Sequence, residues 1–234
     1  MGQALQKIET GDRFEVYTDG KQKVIKLKNV RISFPACGTQ KAQQDDDGND
    51  TEDKAWQVTP MLKKGMHDAA RARCRKLIDE ILLEHGTAPQ GGGAKKPLKM
   101  EPQYICLKDG DEKDRAEYEG HWIISASEKT RHPTARNVQG DLIMNDSEID
   151  KVFYGGCYAN VMIRFWFFNG KAKGKTKEFP KRVCAGFVGI QFLRDGEPFG
   201  QGRIDDTDAW GAEDVASSDE DDGLGGGSSG DDEI

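Results

Sequence analysis

The residue types able to do chemistry in this chain crowd into one run, NVMIRFWFFNGKAKGKTKEF, Asn160 to Phe179, where an arginine sits among aromatic residues and lysines follow at every second position. As an extended strand the run alternates, with Val161, Ile163, Phe165 and Phe167 on one face and Met162, Arg164, Trp166 and Phe168 on the other. The first set reads as core. The second places a cation between rings, which suits single-stranded nucleic acid because its bases offer π-faces beside phosphates. In a barrel covered by a helix both faces are buried, and Trp166, Phe168 and Arg164 are then packing residues. The alternation is compatible with either environment.

Further rings that suit stacking are Tyr158, Trp122 and Phe187. Candidate phosphate contacts are Arg164, the lysines Lys171, Lys173, Lys175 and Lys177 of a hairpin opened by Asn169 and Gly170, and Arg131, Lys95 and Lys96. Arg71 and Arg73 on a helix flank are the second choice. No catalytic constellation is expected. His67, His85, His121 and His132 lack ligand spacing, and the HxE and PCxxC elements of a deaminase are missing. The acids of QKAQQDDDGNDTEDKA fail as a calcium loop, since with Gly48 at position six the first ligand is Gln43 and the twelfth Lys54. Five scattered cysteines form no zinc or disulfide framework. The expectation is a binding protein, not an enzyme, with no metal and no cofactor.

Charge divides the chain. Of its 41 acidic residues twelve fall between Asp205 and Ile234, where there is no Lys or Arg, so 34 basic residues face 29 acidic ones in the body, a net +5. A mildly basic domain, residues 1–204, is expected to carry an acidic, disordered tail, residues 205–234. MGQALQKIETGD has no apolar signal core, Gln6 stands where a myristoylation motif needs Ser or Thr, and no apolar run approaches a membrane span. A soluble protein without membrane contact is expected.

The elements that must position these groups are legible in outline. KVIKLKNVRISF, residues 23–34, alternates as a strand with a bulge near Asn29. An acidic loop over 37–55 leads to a short strand at Trp56 to Met61. Cys74, Leu77, Ile78, Ile81 and Leu82 form the apolar stripe of a helix over 66–85, with Gly86 as its C-cap. GTAPQGGGAKKPLK reads as a flexible linker, 86–99, and from Tyr104 the pattern is β. In the last strand Cys184, Gly186, Val188, Ile190 and Phe192 are assigned to the core face. The fold class is mainly β with one inserted α-helix, a five-stranded OB-type barrel with extensions.

This order of parts, with AKKPLK at Ala94–Lys99 after the helix and the glycine pair of YGGCYANV, resembles the single-stranded DNA-binding proteins of T7-like bacteriophages and a related, long-uncharacterised phage family. The resemblance implies an OB fold that binds single-stranded DNA without sequence preference in phage replication and recombination, in the cytoplasm of the infected bacterial host. It also implies a tail, with Asp219, Glu220, Asp221, Asp222, Asp231, Asp232 and Glu233 at its acidic clusters, that contacts replication or recombination enzymes. Such a tail is expected to compete with DNA, so that weaker binding to double-stranded DNA is enhanced without it. A T7-type tail ends on an aromatic residue, whereas this one ends on Ile234. A phage strand-annealing recombination protein is the alternative.

Overall fold

β-branched and aromatic residues in period-two runs dominate the chain, and the computed structural model, which describes residues 4–44, 50–89, 93–171 and 178–200, is accordingly built of strands. In chain order these are β1 (Gln6–Gly11), β2 (Phe14–Thr18), β3 (Lys23–Gln44), β4 (Asp50–Lys63), helix α1 (Asp68–Glu84), β5 (Leu107–Asp109), β6 (His121–Ile124), β7 (Ala126–Glu128), β8 (Thr134–Arg136), helix α2 (Asp146–Val152), β9 (Tyr158–Phe168) and β10 (Arg182–Arg194). The described residues lie in one compact unit, Met1–Gly200.

Five strands close a ring. β3 pairs with β4 and β9, β9 with β10, β10 with β7, and β7 with β4. The β10–β7 contact is parallel and the others antiparallel, so the molecule is an OB-type barrel closed through one parallel seam. The β1–β2 hairpin extends the sheet from β3, while β6 and β5 extend it from β4. Inside, Ile25, Leu27, Val161, Ile163, Ala185 and Phe187 are buried, each large apolar side chain contributing about 1.5 to 3 kcal/mol. α1 covers the barrel with Cys74, Leu77, Ile78 and Leu82 of the stripe read from its 3.6-residue period, Ile81 at the half-buried edge, and Ala70 one turn before it.

The bulge expected near Asn29 is present: the β3–β9 register shifts between Leu27 and Val30, and Asn29, at φ 52°, donates its N–H to Asn160 Oδ1. Other expectations need correction. The stretch 37–55 is not a loop, because most of it forms the arms of the β3–β4 hairpin, with Lys41 opposite Ala55 and the Trp56 indole donating to the Gly38 carbonyl; residues 45–49 lie outside the described residues. Gly86 is not a left-handed cap. The Lys96 carbonyl approaches so closely that a Cβ would overlap it, and a Thr87–Lys96 bridge with the Leu98 N–H on the Leu82 carbonyl ties the 86–99 segment back to α1.

A second helix, α2, joins the single one expected. Asn145 caps it through Oδ1, Ile149 anchors it in the core, and Asp150 accepts from the N–H groups of Gly38 and Thr39. The β1–β2 hairpin, also unforeseen, buries Phe14 and Val16 and carries Glu15 among Lys7, Lys26, Lys28 and Tyr17. Burial raises the Glu15 carboxyl, but hydrogen bonds from Lys7, Tyr17 and Lys28 outweigh it and bring the pKa down to about 2.

Candidate nucleic-acid interface

Cross-strand partners in a sheet share a face, so the outward positions can be followed around the barrel from the register. Arg164 of β9 faces Gly186 of β10, Gly186 faces Ser127 of β7, and Ser127 faces Gln57 of β4. The neighbouring row, Ala185 and Ala126, is buried, which marks the Gly186 row as the outer one. Towards the β9–β10 turn the same face carries Trp166 opposite Cys184 and Phe168 opposite Arg182. Trp166 and Phe168 meet edge to face with centroids 6.2 Å apart, and the Arg182 guanidinium lies 5.2 Å from the Phe168 ring centre.

Two clefts run from this row across the barrel and meet at Ser125 and Ser127. One, about 230 Å³, lies between Tyr104, Lys108, Arg182 and Cys184; the other, about 320 Å³, lies between Phe34, Arg115, Gln43, Gln57 and Thr59. At the far end the Arg115 guanidinium stacks 4.5 Å from the Phe34 ring centre. Phe34 and Trp166, 42% and 43% exposed, are the two exposed Phe, Tyr or Trp side chains among the described residues; Phe34 lines the larger cleft, and Trp166 stands on β9 opposite Cys184, which lines the smaller one. Lys108 lines the middle without a carboxylate partner among the described residues, and burial followed by the nearby Lys113 charge lowers its pKa. A half-buried cation of this kind gains by meeting a phosphate.

Arg164 differs. Its Nη2 donates to Glu128 Oε2 at 2.7 Å, and its side chain crosses Gly186 to get there. Burial pushes the Glu128 carboxyl up, but the N–H and hydroxyl of Thr130 and the Arg164 charge more than offset this and hold it below the usual carboxylate value. Arg164 is therefore a neutralised guanidinium plane beside Trp166, not a free counter-charge for phosphate.

Among the other expected residues, Phe187 is corrected to core. It is 1% exposed, because a bulge between Phe187 and Gly189 shifts the phase of β10, so Val183, Ala185 and Phe187 point inward where the simple alternation put Cys184 and Gly186. Trp122 lies under Arg71 and Lys64, whose charged centres are 4.3 and 4.7 Å from its ring centre, and so joins the packing of α1 on the sheet. Tyr158 is eight residues from Trp166 along β9, roughly 26 Å away, and the Arg194 guanidinium covers its ring at 3.4 Å. Tyr158 shares the outer face of β9 but is covered by Arg194 and distant from Trp166, and Trp122 is covered by two cations. Lys95 caps the Glu84 carbonyl at the end of α1, Arg73 is held by Glu9, and Lys96 is exposed at the Thr87 bridge. Arg131 is exposed beyond β7, and Lys171 is exposed at the mouth of the β9–β10 turn in a loose pair with Glu178. Lys173, Lys175 and Lys177, like the tail acids Asp219 to Asp222 and Asp231 to Glu233, lie outside the described residues.

The residues missed from sequence are Phe34, Arg115, Arg182, Lys108, Gln43 and Gln57. Phe34 carries a faint signal, a large aromatic residue directly before Pro35, where the strand pattern breaks. The others are ordinary strand and loop residues that only the barrel brings together. No group of three or more His, Cys, Asp or Glu among the described residues is arranged to hold a metal, and none of their helices is long and apolar enough to cross a membrane.

The comparisons with known proteins agree with this architecture. The family model described as Enterobacter phage Enc34, ssDNA-binding protein, matches residues 22–223. The single-stranded DNA-binding protein from bacteriophage Enc34 superposes with a TM-score of 0.66 at 29% identity, over 88% of this chain and 98% of that one; its structure in complex with ssDNA gives 0.66 at 28% identity, over 84% and 98%. Putative protein p50 of Acyrthosiphon pisum secondary endosymbiont phage 1 is 30% identical over 187 residues, 77% of this chain and 88% of its own length. With its closed barrel, inserted helix and 202-residue match, this chain belongs to the Enc34 phage ssDNA-binding protein family.

Proposed function

We propose that this protein binds single-stranded DNA with little sequence preference across the outer face of β4, β7, β10 and β9. The carrying observation is that the exposed Phe34 ring lines one of two clefts that share Ser125 and Ser127, while the exposed Trp166 ring stands on β9 opposite Cys184 of the other. Arg115 lines the Phe34 cleft, and the cations Lys108 and Arg182 line the other. Rings stack on any base and cations meet only phosphate, so affinity with little base preference follows. The ssDNA complex of the Enc34 relative supports the reading.

The protein acts, on this proposal, in phage DNA replication and recombination in the host cytoplasm. The twelve acids after residue 204 compete with DNA for the cationic cleft and, once displaced by a strand, recruit a replication or recombination enzyme. The test is a salt-dependent titration of a poly-pyrimidine oligonucleotide and of a duplex of equal length. Binding of the single strand that weakens steeply with salt is expected, with the duplex weaker; no single-strand binding at low ionic strength overturns the proposal.

A further inference from the structure

We infer that the cleft between Phe34 and Ser127 receives one unpaired nucleobase, its face on Phe34 and its Watson–Crick edge on the amide pair Gln43–Gln57. The inference rests on the single-strand reading above. β3 is bulged between Ser33 and Ala36, and Phe34 holds φ 47°, a left-handed conformation that side chains rarely adopt and that collects at functional sites. The result is an outward ring, backed by the Tyr118 edge at 6.5 Å and by Arg115, beside a polar floor of Thr59, Ser125 and Ser127.

Gln43 Nε2 donates to Gln57 Oε1 at 3.0 Å. That bond leaves Gln57 Nε2 as a donor and Gln43 Oε1 as an acceptor for a ligand. If both amides rotate by a half-turn the bond survives with its direction reversed, and the pair again presents one donor and one acceptor in the opposite order. Watson–Crick edges have the matching property. Adenine offers N6–H beside N1, cytosine N4–H beside N3, guanine N1–H beside O6, and thymine N3–H beside O4. The major-groove edges do not: guanine shows two acceptors there and thymine an acceptor and a methyl group. A rotatable amide pair thus accepts the Watson–Crick edge of any base, and no base whose edge is engaged in a duplex. Sequence tolerance and rejection of paired DNA come from the same two side chains, where stacking alone supplies only the first.

The test compares binding of oligothymidylate with that of an equally long oligonucleotide carrying 2,4-difluorotoluene, a shape mimic of thymine without a hydrogen-bonding edge. Full-length protein, Gln57→Leu and Gln43→Leu are titrated at one salt concentration, with thermal midpoints measured alongside. Wild type is expected to prefer thymine by about 3- to 10-fold, the span of one or two net hydrogen bonds. Gln57→Leu should lose that preference, binding the mimic as wild type does. Equal binding of both oligonucleotides by wild type, which needs no variant, overturns the inference, as does a variant that weakens both alike. Wild type that binds neither oligonucleotide overturns the single-strand reading itself.

Discussion

Arg164 of β9 donates from Nη2 to Glu128 Oε2 of β7 at 2.7 Å, and it does so across Gly186 of β10, the strand between them, where a Cβ would stand 2.8 Å from Arg164 Nε. The bare glycine is what lets the guanidinium lie flat in the middle of the proposed DNA face. Because the pair is neutral, removing both charges should leave the salt dependence of binding unchanged. Glu128→Gln alone, which keeps an acceptor for Thr130, should free Arg164 for phosphate and steepen the log–log salt slope by about 0.7. Titrations of both variants decide it: a shallower slope in Arg164→Gln/Glu128→Gln means that Arg164 already meets phosphate in the native protein.

Trp166 and Phe187 are predicted to part company. Trp166 is exposed, so Trp166→Ala should weaken single-strand binding by about 1 to 3 kcal/mol with little change in thermal midpoint. Phe187 is in the barrel core, so Phe187→Ala should destabilise by about 3 to 5 kcal/mol. Melting curves beside the titrations separate the two, and a Trp166→Ala protein that melts early places Trp166 in the packing.

Lys108 and Arg182 share one cleft and lack carboxylate partners among the described residues. Neutralising both as Lys108→Gln and Arg182→Gln should flatten the salt slope by roughly 1.4, at about 0.7 per phosphate contact on a single strand. An unchanged slope moves the phosphate track to the turn after β9, where Lys171 stands.

Acid should expose the Glu15 cluster. Its folded pKa, about 2, lies below the ordinary glutamate value of about 4.3, so its stabilising effect is full above the ordinary value and is lost as pH falls towards 2. Glu15→Gln should therefore lower the thermal midpoint at pH 7 and narrow its gap to wild type as pH drops through that window. A gap that does not narrow between pH 5 and pH 2 argues against the Lys7, Tyr17 and Lys28 contacts.

Truncation after Gly202 removes twelve acids and a single base, Arg203. If those acids compete for the cleft, duplex affinity at low salt should rise more than single-strand affinity, since a duplex offers no stacking to displace them. Equal affinities for the full and truncated chains limit the tail to partner contacts.

Local periodicity determined a good deal of this. The even face of β9 and the apolar stripe of α1 are set by spacing within one element, and the bulge at Asn29 shows as a broken alternation. The acidic end of the chain is a matter of composition. What period two does not carry is a change of phase: the bulge after Phe187 inverts the first half of β10, sending Phe187 into the core and Cys184 out beside Trp166. Short elements held by long-range contacts were also silent, as α2 is, with seven residues and one buried anchor in Ile149. The site itself is a product of closure. Phe34 and Gln57 meet through the β3–β4 hairpin, but the parallel β10–β7 seam is what sets Arg182 of β10 beside that hairpin, and pairing between strands so distant in the chain is decided by the packing of the whole barrel.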